Sequence, residues 1–117
     1  MNLEKWLSDD SGETVDVTGL GEVYIRPITA AELSGCKKKA TAGAALLRVD
    51  EETAATLEMC AVTVLKVGDK SALFTAGQLA KVPMGRLSAL IEAVGRVNGF
   101  DADLEELAGK LPRMASA

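Results

Sequence analysis

The side chains in this sequence that could do chemistry are carboxylates, two thiols and one run of lysines. The carboxylates fall into three clusters: Asp9/Asp10/Glu13, Asp50/Glu51/Glu52 and Asp101/Asp103/Glu105/Glu106. Paired acids can perform general acid–base work or hold a divalent cation. The second and third clusters, however, fall where helix N-termini favour negative charge. The order Asp101, Asp103, Glu105 is like the start of a calcium loop, but the sixth position is not glycine and Leu107 follows. Capping and surface charge are the expectation. Cys36 and Cys60 have no histidine and no second cysteine pair to work with. They read as free thiols on packed helix faces rather than as a disulfide, a metal site or a nucleophile.

Lys37-Lys38-Lys39 is the one basic run. On a helix, consecutive residues are about 100 degrees apart, so these three cannot form one narrow stripe. They read as a solvated face or as a contact for an acidic partner, another copy of this acidic chain included. Gly19-Leu20-Gly21 is the only glycine cluster that resembles a phosphate loop. It joins two expected strands and is followed at once by Glu22. A phosphate cradle needs amide hydrogens converging at a helix N-terminus, so the cluster reads as a turn.

Composition removes several classes of function. The absence of histidine takes away the commonest general base and the commonest zinc ligand. A net charge of -4 lacks the electrostatic footprint of nucleic-acid binding. No apolar run reaches the roughly 18 residues of a membrane span. Met1-Asn2-Leu3-Glu4-Lys5-Trp6 lacks the pattern of a secretory signal. The expectation is a cytosolic protein, not an enzyme, with no cofactor and no metal. The 117 residues support one domain, expected over 1–112 with a loose tail at 113–117.

The elements that position these residues follow from pattern. Residues 3–8 suit a short helix or a fraying arm. Thr14–Thr18 and Glu22–Arg26 alternate apolar and polar, as half-buried strands do. A loop over Gly19-Leu20-Gly21 would pair Val17 with Val23 and Val15 with Ile25, all on one face. Thr29-Ala30-Ala31-Glu32 and Thr75-Ala76-Gly77-Gln78 are capping boxes, predicting helices at about 30–40 and 76–81. Thr41-Ala42-Gly43 is expected to break the first, leaving Ala44–Val49 ambiguous. Asp50 caps a helix expected to reach about Val67. Its apolar residues cover more than one face: Ala54, Leu57, Ala61, Val64 and Leu65 form a stripe that Met59, Cys60 and Val62 widen. That helix is either central and covered all round, or it reserves a face, with Met59 and Val62, for a partner. Leu73-Phe74 is a core anchor or an exposed contact. Pro83 opens an amphipathic helix through Leu87, Leu90, Ile91, Val94 and Val97, which Asn98-Gly99 ends with Phe100 folding back. A last short helix runs to about Lys110. The expected fold is α+β and mainly helical: a small N-terminal β-hairpin packed on about four helices, with 50–67 and 83–98 carrying the core.

The stretch Val64-Leu65-Lys66-Val67-Gly68-Asp69-Lys70-Ser71-Ala72-Leu73-Phe74-Thr75-Ala76-Gly77-Gln78-Leu79 resembles a pattern in tail assembly chaperones of long-tailed, siphovirus-like bacteriophages and prophages. There an apolar helix leads to a Gly/Asp turn, a Leu-Phe-Thr/Ser step and a short polar helix. Val82-Pro83, the helix Leu87–Val97 and Asn98-Gly99-Phe100 continue the likeness. So does Val23–Arg26 followed by Pro27-Ile28-Thr29-Ala30-Ala31-Glu32-Leu33. Gly35, the triple lysine and the alanine-rich 40–47 segment depart from the pattern.

The resemblance implies a chaperone that binds and solubilises the tape measure protein in the host bacterial cytoplasm. Several copies would assemble along it and be absent from the mature virion. It also implies a longer frameshifted form whose extra part recruits tail tube protein. The alternatives are a structural tail-completion or head-tail joining subunit, and a small host adaptor that binds one protein partner. An enzyme would have to rely on carboxylates or on Cys36 and Cys60. The expected partner-binding residues are Met59, Val62, Lys37, Lys38 and Lys39.

Overall fold

The computed structural model describes residues 3–8 and 12–100. The helix expected near 101–110 and the tail at 113–117 lie outside the described residues. The elements run α1 (Leu3–Ser8), β1 (Glu13–Val17), β2 (Gly21–Ile25), α2 (Ala30–Leu47), α3 (Glu51–Thr63), β3 (Val64–Leu65), α4 (Ala76–Leu79) and α5 (Met84–Asn98). The fold is a small α+β domain, with the expected hairpin enlarged to a three-stranded antiparallel sheet of order β1-β2-β3.

The hairpin differs from expectation by a two-residue shift in register. Val15 pairs with Val23, Asp16 with Glu22 and Val17 with Gly21. The cause is the turn. The Leu20 amide donates to the Val17 carbonyl at 2.9 Å, and Gly19, with φ 83°, takes the third position of that turn. A type II turn needs positive φ there, which glycine supplies freely. Gly21 therefore returns to the strand instead of lying in the loop. A shift of two preserves the faces because the side-chain period is two. Val15, Val17, Val23 and Ile25 are all buried, as the alternation predicted. Gly12, which enters β1, has no room for a side chain. A Cβ there would collide with the Tyr24 hydroxyl and lie 2.7 Å from the Ile25 carbonyl oxygen.

Both capping boxes form as expected. The Glu32 amide donates to Thr29 Oγ1 at 3.1 Å, and the Thr29 amide donates back to Glu32 Oε1 at 3.1 Å. Thr75 and Gln78 repeat the exchange at 3.2 and 2.9 Å, although α4 stops at Leu79 rather than near 81. Asp50 caps α3 by accepting from the Thr53 amide at 2.7 Å. Pro83 stands at the N-cap of α5, one position before the expected first turn. At the other end Gly99 adopts φ 73°, and the Phe100 amide donates to the Gly95 carbonyl at 2.8 Å. Phe100 packs back on the core, completing the expected cap.

Two helix boundaries are corrected by packing. α2 does not break at Thr41-Ala42-Gly43 but continues to Leu47. Its buried Ala40 and Ala44 meet Ala54 of α3, and these small side chains bring the two helices close along their length. That burial outweighs the roughly 1 kcal/mol a glycine costs in a helix interior. α3 ends at Thr63 rather than near Val67. Val62-Thr63-Val64 is a β-branched run, stiff in a helix and favourable in a strand. Val64 and Leu65 leave the helix to pair with Ile25 and Tyr24, covering the free edge of β2.

α2 closes on Arg48, a non-glycine residue in the left-handed region at φ 60°. The Val49 amide donates to the Ala44 carbonyl at 3.2 Å, so the geometry is a Schellman cap occupied by an arginine. Arg48 is exposed, so its replacement disturbs little packing. Relieving the left-handed strain gives an expected gain in Arg48→Gly of about 1 kcal/mol. Urea unfolding checks it: an unchanged or lower midpoint would show that the arginine is not strained there.

Candidate functional site

α3 lies at the centre of the helical layer. α2, α4, α5 and β3 all pack against it. This accounts for its excess of apolar residues, because Ala54, Leu57, Met59 and Cys60 are buried in different directions. Met59, expected on a partner face, is only 5% exposed and belongs to the main core cluster. Val62 is half-buried and packs on the same cluster. The structure therefore places Met59 in the core, while Val62 keeps part of its surface exposed. Leu73 and Phe74 are also half-buried on this core, which fits the anchor reading.

The thiols are where packed helix faces were expected. Cys36 on α2 and Cys60 on α3 are both free and buried. Burial pushes both up, Cys60 to about 12 with a smaller contribution from nearby Cys36. A neutral buried thiol is a poor nucleophile. Among the described residues, no group of three or more Cys, Asp or Glu side chains is placed to hold a metal ion. No buried side-chain nitrogen or oxygen among them lacks a hydrogen-bond partner. Thr63, fully buried, donates its hydroxyl to the Met59 carbonyl at 2.8 Å. Asp50, the cap of α3, has its carboxyl held below the usual range by its bonds to Thr53.

The best-organised polar site is a junction at the entry to α2. Arg26 grips the Glu32 carboxylate with both guanidinium nitrogens, Nη1 to Oε1 at 2.9 Å and Nη2 to Oε2. The Arg26 amide donates to the Thr63 carbonyl at 3.0 Å. Asn98, at the end of α5, accepts from the Ile28 amide at 2.7 Å. Its Nδ2 donates to the Val94 carbonyl at 3.0 Å and to the Arg26 carbonyl at 3.5 Å. Sequence reasoning saw Glu32 and Asn98 only as parts of local caps. The structure gives each a second role, as a tie between elements remote in the chain.

Surface features divide by charge and polarity. Lys37, Lys38 and Lys39 are all exposed, between Cys36 and Ala40, which face α3. Exposed large apolar side chains include Leu3 and Leu7 on α1, Leu46 on α2, Val67, and Met84 at the start of α5. Leu46 is 87% exposed. On the outer face of the sheet, the Lys70 ammonium sits 4.5 Å from the centre of the Tyr24 ring. Asp16 and Glu22 face each other on the same side. Sequence reasoning missed that pair because its register set Asp16 opposite Tyr24; the positive-φ demand at Gly19 was the available signal. No described helix is long and apolar enough to cross a membrane.

No family model matches this chain, and no curated protein or solved structure matches it significantly. The described residues form a small α+β domain whose most ordered polar side chains, Arg26, Thr29, Glu32, Asp50 and Asn98, serve caps and ties between elements.

Arg26 above all, then the Thr29 amide and hydroxyl, hold the Glu32 carboxyl at about 2 against an ordinary 4.5. A depressed folded-state value stabilises fully above 4.5, and that contribution is lost as the pH falls from 4.5 toward 2. Glu32→Gln is expected to lower stability at neutral pH and to flatten the acid limb over that window, read from urea midpoints at a series of pH values. Parallel acid limbs in the variant and the wild type would refute the assignment. Met59→Ala should cost about 2–4 kcal/mol as a core truncation, whereas Leu46→Gln should stay within about 0.5 kcal/mol. Thermal unfolding compares them; equal melting temperatures would return Met59 to the surface.

Proposed function

We propose that this chain is a tail assembly chaperone of a long-tailed bacteriophage or prophage. It binds the tape measure protein during tail assembly, keeps it soluble in the host bacterial cytoplasm, and leaves before the virion is complete. The observation that carries the reading is the order and spacing of motifs from Val23 to Phe100. β2 leads through Pro27-Ile28 to a helix opened by Thr29 and Glu32. α3 leads to the turn around Gly68-Asp69, then to Leu73-Phe74, the capped helix α4, and α5 with its Asn98-Gly99-Phe100 end.

The mechanism is stoichiometric masking, with no nucleotide and no catalytic step. A tape measure protein exposes apolar helical stripes before it is sheathed, and a holder needs matching apolar surface on a charged exterior. The net charge of -4 serves the exterior. With Met59 in the core, the apolar contact falls to exposed residues such as Leu46 and Met84. Several copies act on one tape measure protein, and a longer frameshifted form brings tail tube protein to the complex.

Co-expression with the tape measure protein encoded nearby tests the proposal. The expected result is a soluble tape measure protein that co-elutes with several copies of this chain on size exclusion. If it stays insoluble and this chain elutes alone, the chaperone reading fails. Mass spectrometry of purified particles would then look for the structural tail-completion or head-tail joining subunit.

A further inference from the structure

Two charged patches lack partners within the described structure. The first is on the outer face of the hairpin. Asp16 and Glu22 are directly opposite in the antiparallel ladder, while Val15, Val17, Val23 and Ile25 take the inner face. Directly opposed side chains on one face are about 5 Å apart at Cβ, and like charges so placed repel. Neither carboxylate has a hydrogen bond or an ion pair among the described residues. Lys70, a cation placed on this face, is engaged over Tyr24. The second patch is Lys37, Lys38 and Lys39 on α2, exposed and without an ion pair among the described residues. Glu32, the acidic residue of that helix, is taken by Arg26. Glu58 of α3 and Lys39 act on Cys36 in opposite senses, Glu58 raising its pKa and Lys39 lowering it, and form no ion pair with each other.

These patches sit on different elements. α2 packs on α3, whereas β1 and β2 pack on α5. Among the described residues, the opposed acids of the hairpin and the three adjacent lysines of α2 form no ion pair. Each patch supplies what the other lacks.

We propose that the acidic hairpin face of one copy, Asp16 and Glu22, docks on the Lys37–Lys39 surface of a second copy of this chain. The contact joins unlike patches. Two such contacts related by a two-fold axis close a dimer, while a single one leaves a free patch at each end and allows the series to continue. The contact stands on the charges alone and does not need a tape measure protein, so it is tested on the chain by itself.

The experiment is sedimentation velocity of the full chain over a concentration series, at low and high salt. The expected result is a sedimentation coefficient that rises with concentration at low salt, with association weakened about tenfold or more at high salt as the charges are screened. Reversing the basic patch (Lys37→Glu, Lys38→Glu and Lys39→Glu together) should leave a monomer at low salt. Adding Asp16→Lys and Glu22→Lys to that variant should restore association. Circular dichroism melting checks that each variant is folded; if the triple reversal unfolds the chain, Asp16→Lys with Glu22→Lys alone takes its place and should also be monomeric. A wild-type chain that stays monomeric at low salt overturns the proposal. So does association that salt and the reversals leave unchanged, or a combined variant that does not reassociate.

Discussion

The connector from Arg26 to Thr29 is the constraint on which the rest of the molecule depends. It leaves the central strand and enters the first long helix, and only its last carbonyl, that of Thr29, joins the helical ladder by accepting from the Leu33 amide. Buried backbone donors and acceptors need partners. Here those partners come from far along the chain: the Thr63 carbonyl at the end of α3 and the Asn98 side chain at the end of α5. The Arg26 side chain in turn holds Glu32, which is already closing the first turn of α2. Four elements are thereby referenced to one short segment. A hydrogen bond contributes only about 1 kcal/mol net, but leaving such a group unpaired costs more, so the junction acts chiefly on geometry.

With that junction in place, α3 becomes the centre. Its sides are taken by α2 through alanines, by α4 and α5 through larger aliphatic side chains, and by β3 at its end. The alanine contact explains how a helix containing Gly35 and Gly43 stays continuous. A close helix–helix approach contributes packing that a poor helix former cannot undo by its propensity alone. The same closeness leaves α2 with one covered side, and its opposite side carries lysines and the fully presented Leu46.

Among the described residues, the buried groups that could react are few. The two thiols are held neutral by burial, and the capping carboxylates are occupied by backbone amides. The features not spent on folding are on the outside: opposed acids on the hairpin, a cationic stretch on α2, and separate apolar side chains. Charged surfaces of this kind govern which partner approaches and in what orientation more than how tightly it is held.

Local chemistry by itself determined the capped starts of α2, α3 and α4, the inner faces of β1 and β2, and the amphipathic α5 with its glycine end. Each depends on residues within a turn of one another, so spacing reveals it. Tertiary structure alone decided the rest. Val64 and Leu65 read as helix until the open edge of β2 is there to pair with them. The pattern leaves Met59 open between a covered central helix and a partner face, and the packing of α2, α4 and α5 on α3 puts it in the core. The hairpin register depended on where the turn closes, with the Leu20 amide on the Val17 carbonyl, and with it the juxtaposition of Asp16 and Glu22. Asn98 looked like a helix terminator, and only the fold brings the Ile28 amide to its side chain. In each case the deciding partner lies outside the local window, and a backbone edge, a neighbouring helix or a distant amide outweighs a local preference of a few tenths of a kcal/mol per residue.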